Sequence, residues 1–222
     1  MPHITSANVA CGFHAGDPGV MRDTVILARE HGVAIGAHPG FPDREGFGRR
    51  DLRLTPRQVE DLVVYQIGAL AAIAAAQGAR LQHVKPHGAL FNIAVGERGV
   101  ADAIARATAS VDRSLILFGL PDSELMAAGE AAGLRTAREA FADRAYRADG
   151  TLVPRTEAGA VIDDPAQVLG RVVAMASNPR VDTICVHGDT PGAADLAARI
   201  RATLVAAGID VKAIGHVEAG SV

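Results

Sequence analysis

Four histidines, His14, His38, His87 and His187, each stand at or just past the end of a short apolar run. Each is followed by a small residue or a proline: Ala15, Pro39, Gly88 and Gly188. Lys85 lies in the segment His83-Val84-Lys85-Pro86-His87-Gly88, and Lys212 is the only other lysine, every remaining basic side chain being arginine. Where arginine has replaced lysine almost everywhere, a surviving lysine marks a place that needs a compact ammonium rather than a planar guanidinium. Imidazoles and an ammonium together can activate water, protonate a leaving nitrogen and stabilise an oxyanion or phosphoryl group. We therefore take His14, His38, Lys85, His87 and His187 as the catalytic candidates. His14 and His38 could also supply two ligands to a divalent metal, although no carboxylate evidently completes such a set and no HExxH spacing occurs.

Further polar residues fall near these positions. Asn8 precedes Cys11-Gly12-Phe13-His14-Ala15-Gly16-Asp17, whose glycines would let backbone approach a ligand closely. Asp43 with Arg44, and Asp143 with Arg144, lie in two long loops, where neighbouring Asp and Arg ordinarily make local ion pairs. Asp189 follows His187-Gly188 and could orient a histidine or cap the next helix. Asn8, Asp43, Arg44, Asp143, Arg144 and Asp189 are the substrate-binding candidates. Asp17 reads as a helix cap, and His3, His31 and His216 receive no role. There is no GxxxxGK[ST] motif, no strand-linked GxGxxG and no GxSxG elbow. A water-activating or phosphoryl-assisted amidohydrolase fits better than a hydrolase built on a serine nucleophile.

The elements that would position these groups alternate along the chain. Strands are expected at about 4–11, 33–38, 82–87, 114–119, 134–138, 182–187 and 210–214, and helices near 18–31, 56–77, 99–110, 122–132, 164–177 and 192–207. Asp17-Pro18 and Thr55-Pro56 read as N-cap followed by a first-turn proline. Strand–helix alternation means a parallel sheet, either closed as a barrel or open and doubly wound. With a period of two, His83, Lys85 and His87 share one face, as do Thr183, Cys185 and His187, and as do Ser6 and Asn8. The opposite faces are aliphatic. A barrel with a polar lumen explains one polar face better than an open sheet covered on both sides, whose strands would be apolar throughout. Active sites of β/α barrels lie at the C-terminal ends of the strands, where the four histidines fall. Residues 39–54 and 139–163 are longer than ordinary connections and rich in Gly, Arg and Asp, as functional loops are.

The 222 residues suit a single domain, and no linker or repeat divides them. A formal net charge of -3 gives no electrostatic reason for a nucleic-acid partner or an acidic membrane surface. No uninterrupted apolar run reaches the roughly 18–20 residues that span a bilayer, and Met1-Pro2-His3-Ile4 has no signal-peptide features. Cys11 and Cys185 form no CxxC motif or disulfide framework, so a reducing cytoplasm is expected.

Several blocks together resemble the LamB/YcsF family. They are residues 6–17 (SANVACGFHAGD), Gly36-Ala37-His38-Pro39 with Phe41-Pro42-Asp43-Arg44, and residues 83–90 (HVKPHGAL). Phe141-Ala142-Asp143-Arg144 through Asp149-Gly150, Leu152-Val153-Pro154-Arg155, and Val186-His187-Gly188-Asp189 continue the match in order over almost the whole chain. The resemblance implies a β/α barrel akin to the glycoside hydrolase/deacetylase barrels. It implies ATP-dependent opening of the 5-oxo-L-proline lactam to L-glutamate, in a complex with B and C subunits. On that scheme Lys85 and Arg144 would hold phosphate or the substrate carboxylate, while the four histidines share water activation and proton transfer. Family members usually begin with a strand carrying an Asp-x-Asn-x-Asp-x-Gly-Glu-like segment, which is not found here. The expectation is a barrel short of its first strand, through a misassigned start or a true truncation. Two other readings remain: a metal-dependent deacetylase-like amidohydrolase acting alone, and a non-catalytic protein that serves the complex by binding.

Overall fold

The computed structural model describes residues 1–215. Its elements run β1 (Ser6–Ala10), α1 (Pro18–Glu30), β2 (Ala34–His38), α2 (Pro56–Ala76), β3 (Leu81–Val84), α3 (Gly88–Gly96) and α4 (Arg98–Val111). They continue with β4 (Ile116–Gly119), α5 (Glu124–Ala131), β5 (Arg135–Phe141), α6 (Pro165–Ala176), β6 (Thr183–Cys185) and α7 (Ala193–Ala206). All six strands are parallel and lie in chain order, β1-β2-β3-β4-β5-β6. When successive parallel neighbours are joined by crossovers of one hand, every helix lands on the same side of the sheet. The sheet then curls with its helices outside, and the result is a six-stranded, incomplete β/α barrel rather than a doubly wound sheet. β1 and β6 are the two edges and do not pair with each other, so a seam runs down the wall.

Local chemistry sets most boundaries. Asp17 caps α1 by accepting from the Val20 N–H at 2.9 Å, with Pro18 in the first turn. Thr55 and Gln58 form a reciprocal capping box at α2, which satisfies two otherwise orphaned N–H groups. Among the described residues α2 alone is long and apolar enough to cross a membrane by length and composition. Its Val59, Leu62, Val63, Ile67, Leu70 and Ala74 are instead buried in the protein core. On the same helix, buried Gln66 clamps Gly40 through both backbone groups, accepting from its N–H at 3.0 Å and donating to its carbonyl at 2.9 Å. That pins the start of the 39–54 loop, the wall behind His14 and His38.

Three expectations on the elements are corrected. No strand forms at 210–214. Ile209 and Val211 pack on the cluster around α6 and α7, and the Ile214 carbonyl accepts from Gln82 Nε2 at 2.7 Å, so helix packing and one side chain satisfy an alternation that looked like a ladder. Residues 88–96 form a helix absent from the expected set, because it begins on Gly88 with no capping side chain. β5 runs three residues past its expected end, to Phe141, which matters for the site. His216 lies outside the described residues.

Candidate active site

A cavity of about 1380 Å³ opens at the C-terminal ends of the strands and extends to the seam between β1 and β6. Two polar groupings line it. The first holds His14, from the loop after β1, His38 at the end of β2, and His87 between β3 and α3. Their closest ring nitrogens all lie within 4.8 Å of one another. His14 stacks on His87 with parallel rings 3.8 Å apart, and His38 meets His87 edge-on. Such close stacking needs room, which Gly48 provides. A Cβ there would sit 2.8 Å from His14 and 2.9 Å from His87, and its φ of +65° favours glycine.

The hydrogen bonds fix where the protons are. His38 Nδ1 lies 2.6 Å from the Lys85 carbonyl and must donate to it. His87 Nε2 lies 2.7 Å from the Phe47 carbonyl and likewise donates. The remaining nitrogens, His38 Nε2 and His87 Nδ1, face each other at 3.0 Å. In neutral rings both are bare, so two lone pairs oppose each other unless a proton or a cation joins them. Burial, reinforced by Arg49 and Arg44, lowers the His14 pKa to about 4. Burial with neighbouring His14 lowers His87 to about 3, and burial with neighbouring His87 and Lys85 holds His38 well below its usual range. Buried His14 Nδ1 has no hydrogen-bond partner. Neutral imidazoles with converging lone pairs are what a divalent cation requires, so these residues fit one.

The second grouping sits in the lumen. Lys85, 4% exposed, places its ammonium 2.7 Å from the Glu139 carboxylate, 3.0 Å from Cys185 Sγ and 4.6 Å from the centre of the Phe141 ring. Burial works against the charged form of Lys85, but its two polar neighbours more than offset this and its pKa is raised. Burial pushes the Cys185 thiol up to about 12, so it stays neutral and Glu139 supplies the countercharge. Beside them His187 stacks on Phe141, and its Nδ1 donates to both oxygens of buried Asp143, at 2.9 and 2.8 Å. This fixes the tautomer: Nδ1 carries the proton, and basic Nε2 has no protein partner among the described residues. Burial raises the Asp143 carboxyl, the His187 bonds lower it, and the net direction is down.

Below these groups His83 fills the lumen, stacked on Phe118 at 4.2 Å and donating to Asn8 Oδ1 at 2.9 Å. It lies flat against Gly36, where a Cβ would come within 1.9 Å of Nε2.

All five catalytic candidates line the cavity, as do Asn8, Arg144 and Asp189, and Asp143 lies directly behind His187. Asp43 and Arg44 are not on its wall. Neither Asp-Arg neighbour pair meets: Asp43 binds Arg50 and the Gly46 N–H, and Arg44 donates to the Gly12 and Gly16 carbonyls. Asp143 turns to His187 while Arg144 donates to the Ala160 and Val153 carbonyls. Asp189 neither caps α7 nor orients a histidine; it pairs with Arg49 at 2.6 Å across the cavity mouth. Glu139, Arg49 and Arg155 are site residues that sequence reasoning misses. The alternation Ala137, Glu139, Phe141 would reveal Glu139 if β5 were carried to its true end. A second cleft, of about 430 Å³, opens at the opposite end of the strands around Arg29, Arg80 and Arg135, and among the described residues neither imidazole nor carboxylate lines it.

The sequence profile of the LamB/YcsF family matches residues 1–219. The chain is 54% identical to the A subunit of 5-oxoprolinase from Bacillus licheniformis over 222 residues, covering 95% of this chain and 88% of the relative. It is 52% identical to the corresponding protein of Bacillus subtilis, covering 97% and 89%. Its structure superposes on the crystal structure of the lactam utilization protein from Thermus thermophilus with a TM-score of 0.89 and 44% identity, covering 96% of this chain and 90% of that one. With the profile, the close relatives and the solved structure in agreement from end to end, this chain belongs to the LamB/YcsF family.

Proposed function

We propose that the chain is the lactam-opening component of an ATP-dependent 5-oxoprolinase, converting 5-oxo-L-proline to L-glutamate in the cytoplasm together with B and C subunits. The observation that carries this reading is the His187–Asp143 pair standing beside the Lys85 ammonium in one cavity. Relatives named as 5-oxoprolinase components support the choice of substrate. A five-membered lactam is a poor electrophile, and ATP supplies both driving force and, by phosphorylating the lactam oxygen, a more reactive carbon. His187 Nε2 takes the proton of the attacking water, with Asp143 stabilising the imidazolium that forms. As the C–N bond breaks, the same imidazolium returns that proton to the ring nitrogen, leaving γ-glutamyl phosphate, which a second water cleaves to glutamate and inorganic phosphate. Lys85 is held charged by Glu139 and meets negative charge that accumulates on the former carbonyl oxygen. Glutamate formation by the three assembled subunits, dependent on both ATP and 5-oxoproline, tests the reading. Retention of full turnover by Lys85→Ala or His187→Ala would remove its basis.

The opposed lone pairs of His38 and His87 favour a second reading, a metal-dependent amidohydrolase acting alone. His14, His38 and His87 would hold the ion, which would supply an acidified water and polarise a carbonyl. Activity of the isolated chain with zinc or manganese and without ATP would establish it in place of the first. A complex that turns over equally well with both His187→Ala and Lys85→Ala would instead mark this chain as a non-catalytic binding component.

A further inference from the structure

Arg49, Arg144 and Arg155 come from two separate loops and line the same cavity. Arg144 is buried, at 3% exposure, yet its guanidinium donates only to two neutral carbonyls, those of Ala160 and Val153. Arg155 is half-buried and makes no hydrogen bond or ion pair among the described residues. Arg49 is shared with Asp189 at the rim. The nearby carboxylates are already taken: Asp143 by His187, Glu139 by Lys85 and Asp189 by Arg49. Around Arg144 and Arg155 there is therefore cationic charge, withdrawn from solvent, that no carboxylate among the described residues bonds directly. Burial lowers both guanidinium pKa values, and repulsion lowers them further, Arg144 by Arg155 and Arg49 and Arg155 by Arg49, with attraction from Asp143 and, for Arg155, Asp189 offsetting only part of this. Like charges crowded into a half-buried wall are costly unless a bound anion neutralises them.

We infer that Arg144 and Arg155, with Arg49 at the rim, form a binding subsite for an oxyanion with two or more terminal oxygens, a carboxylate or a phosphoryl group. Guanidinium forks suit that geometry, and a lysine in their place would offer only a point charge. The subsite rests on the proposed lactam reaction only for which anion arrives; the charge arrangement stands without it. In that reaction both chemistries occur, the carboxylate on the substrate and the phosphoryl group on its activated form.

Calorimetric titration of the full chain tests this with three probes: inorganic phosphate, 5-oxo-L-proline, and 2-pyrrolidinone, which is the same lactam without the carboxylate. The expected result is that both anions bind more tightly than 2-pyrrolidinone. Arg155→Ala should weaken an anion at least tenfold, about 1.4 kcal/mol, while Arg155→Lys recovers only part of the loss. Arg155 makes no internal bond, so neither variant should impair folding. Weakening of phosphate alone assigns the subsite to a phosphoryl group, weakening of 5-oxoproline alone assigns it to the carboxylate, and weakening of both makes it a shared oxyanion subsite. Unchanged anion binding in Arg155→Ala, or wild-type anion binding no tighter than that of 2-pyrrolidinone, would overturn the inference. If Arg155→Ala loses phosphate binding but the assembled complex never opens 5-oxoproline, the reaction falls and the subsite remains.

Discussion

Replacing Lys85 by methionine should produce a protein whose stability loss shrinks on acidification. Met keeps much of the lysine stem's volume but removes the cation 2.7 Å from Glu139, whose Oε2 has no hydrogen-bond partner to replace it. At an effective dielectric near 20, the attraction across that distance is about 6 kcal/mol before desolvation is charged against it. A carboxylate 2% exposed cannot stay ionised alone, so it takes up a proton. From an ordinary value of 4.5, protonating it at pH 7 means crossing about 2.5 pH units, or roughly 3.4 kcal/mol. That agrees with the roughly 3–5 kcal/mol lost when one member of a buried pair is removed. The sign follows from proton counts. Burial already raises the Glu139 pKa in the wild-type fold, Lys85 offsetting this only in part, so in Lys85→Met it rises further and the variant's folded state binds more protons than wild type's. Its stability relative to wild type is fully recovered below about 4.5 and lost as pH rises. Between pH 7 and pH 5 the deficit should narrow, by at most about 2.7 kcal/mol because wild-type Glu139 is itself raised. Urea unfolding of wild type, Lys85→Met, Glu139→Gln and the double variant at both pH values measures this directly. The double variant should be less destabilised than the sum of the singles and should not show the narrowing. A deficit in Lys85→Met that is the same at pH 5 and pH 7, or strictly additive singles, would refute the account of Lys85 and Glu139 as a mutually dependent pair.

Gly36→Ala should destabilise the fold by about 3 kcal/mol, because its Cβ would meet His83 Nε2 at 1.9 Å, and His83→Ala should relieve part of that cost in a double variant followed by urea unfolding. His83 should make the protein acid-sensitive. Burial lowers its pKa from 6.5 to about 3, so the unfolded state binds more protons, and stability present above 6.5 is lost as pH falls toward 3. In His83→Phe the slope of unfolding free energy against pH over that range should be shallower than in wild type. Asp143→Asn should reduce turnover of the assembled complex by about 10²–10⁴-fold, because an amide no longer stabilises the His187 imidazolium or enforces its tautomer. The near-ultraviolet spectrum should be unchanged, and a loss below about tenfold would count against His187 as the base.

Short-range signals made much of the site legible. Asp17-Pro18 and Thr55-Pro56 mark true helix starts, since a cap and its partner lie within three residues. Period two carried one residue past the end of β3 puts His83 and Lys85 on one side, and the small residue or proline after His14, His38, His87 and His187 marks where strands give way to loops. What failed were inferences about partners and ends. Adjacency suggests that Asp43 and Asp143 pair with the neighbouring arginines, but successive side chains diverge, and each carboxylate finds a partner elsewhere in the fold. Ending β5 before Glu139 hides in a supposed loop the carboxylate that the catalytic set lacks.

The order of elements, the arrangement of one polar and one aliphatic strand face and the identity of most imidazoles at the mouth are written in the chain, because propensity, capping and alternation act over a few residues. Folding in three dimensions adds that Lys85 meets Glu139 and Cys185, that His38 and His87 oppose their lone pairs, and that no carboxylate among the described residues bonds Arg155. Those pairings join residues as far apart as Lys85 and Cys185, and they depend on strand register and on how tightly the sheet curls. A one-residue change of register would turn each side chain to the other face, and no local stretch of sequence carries that information.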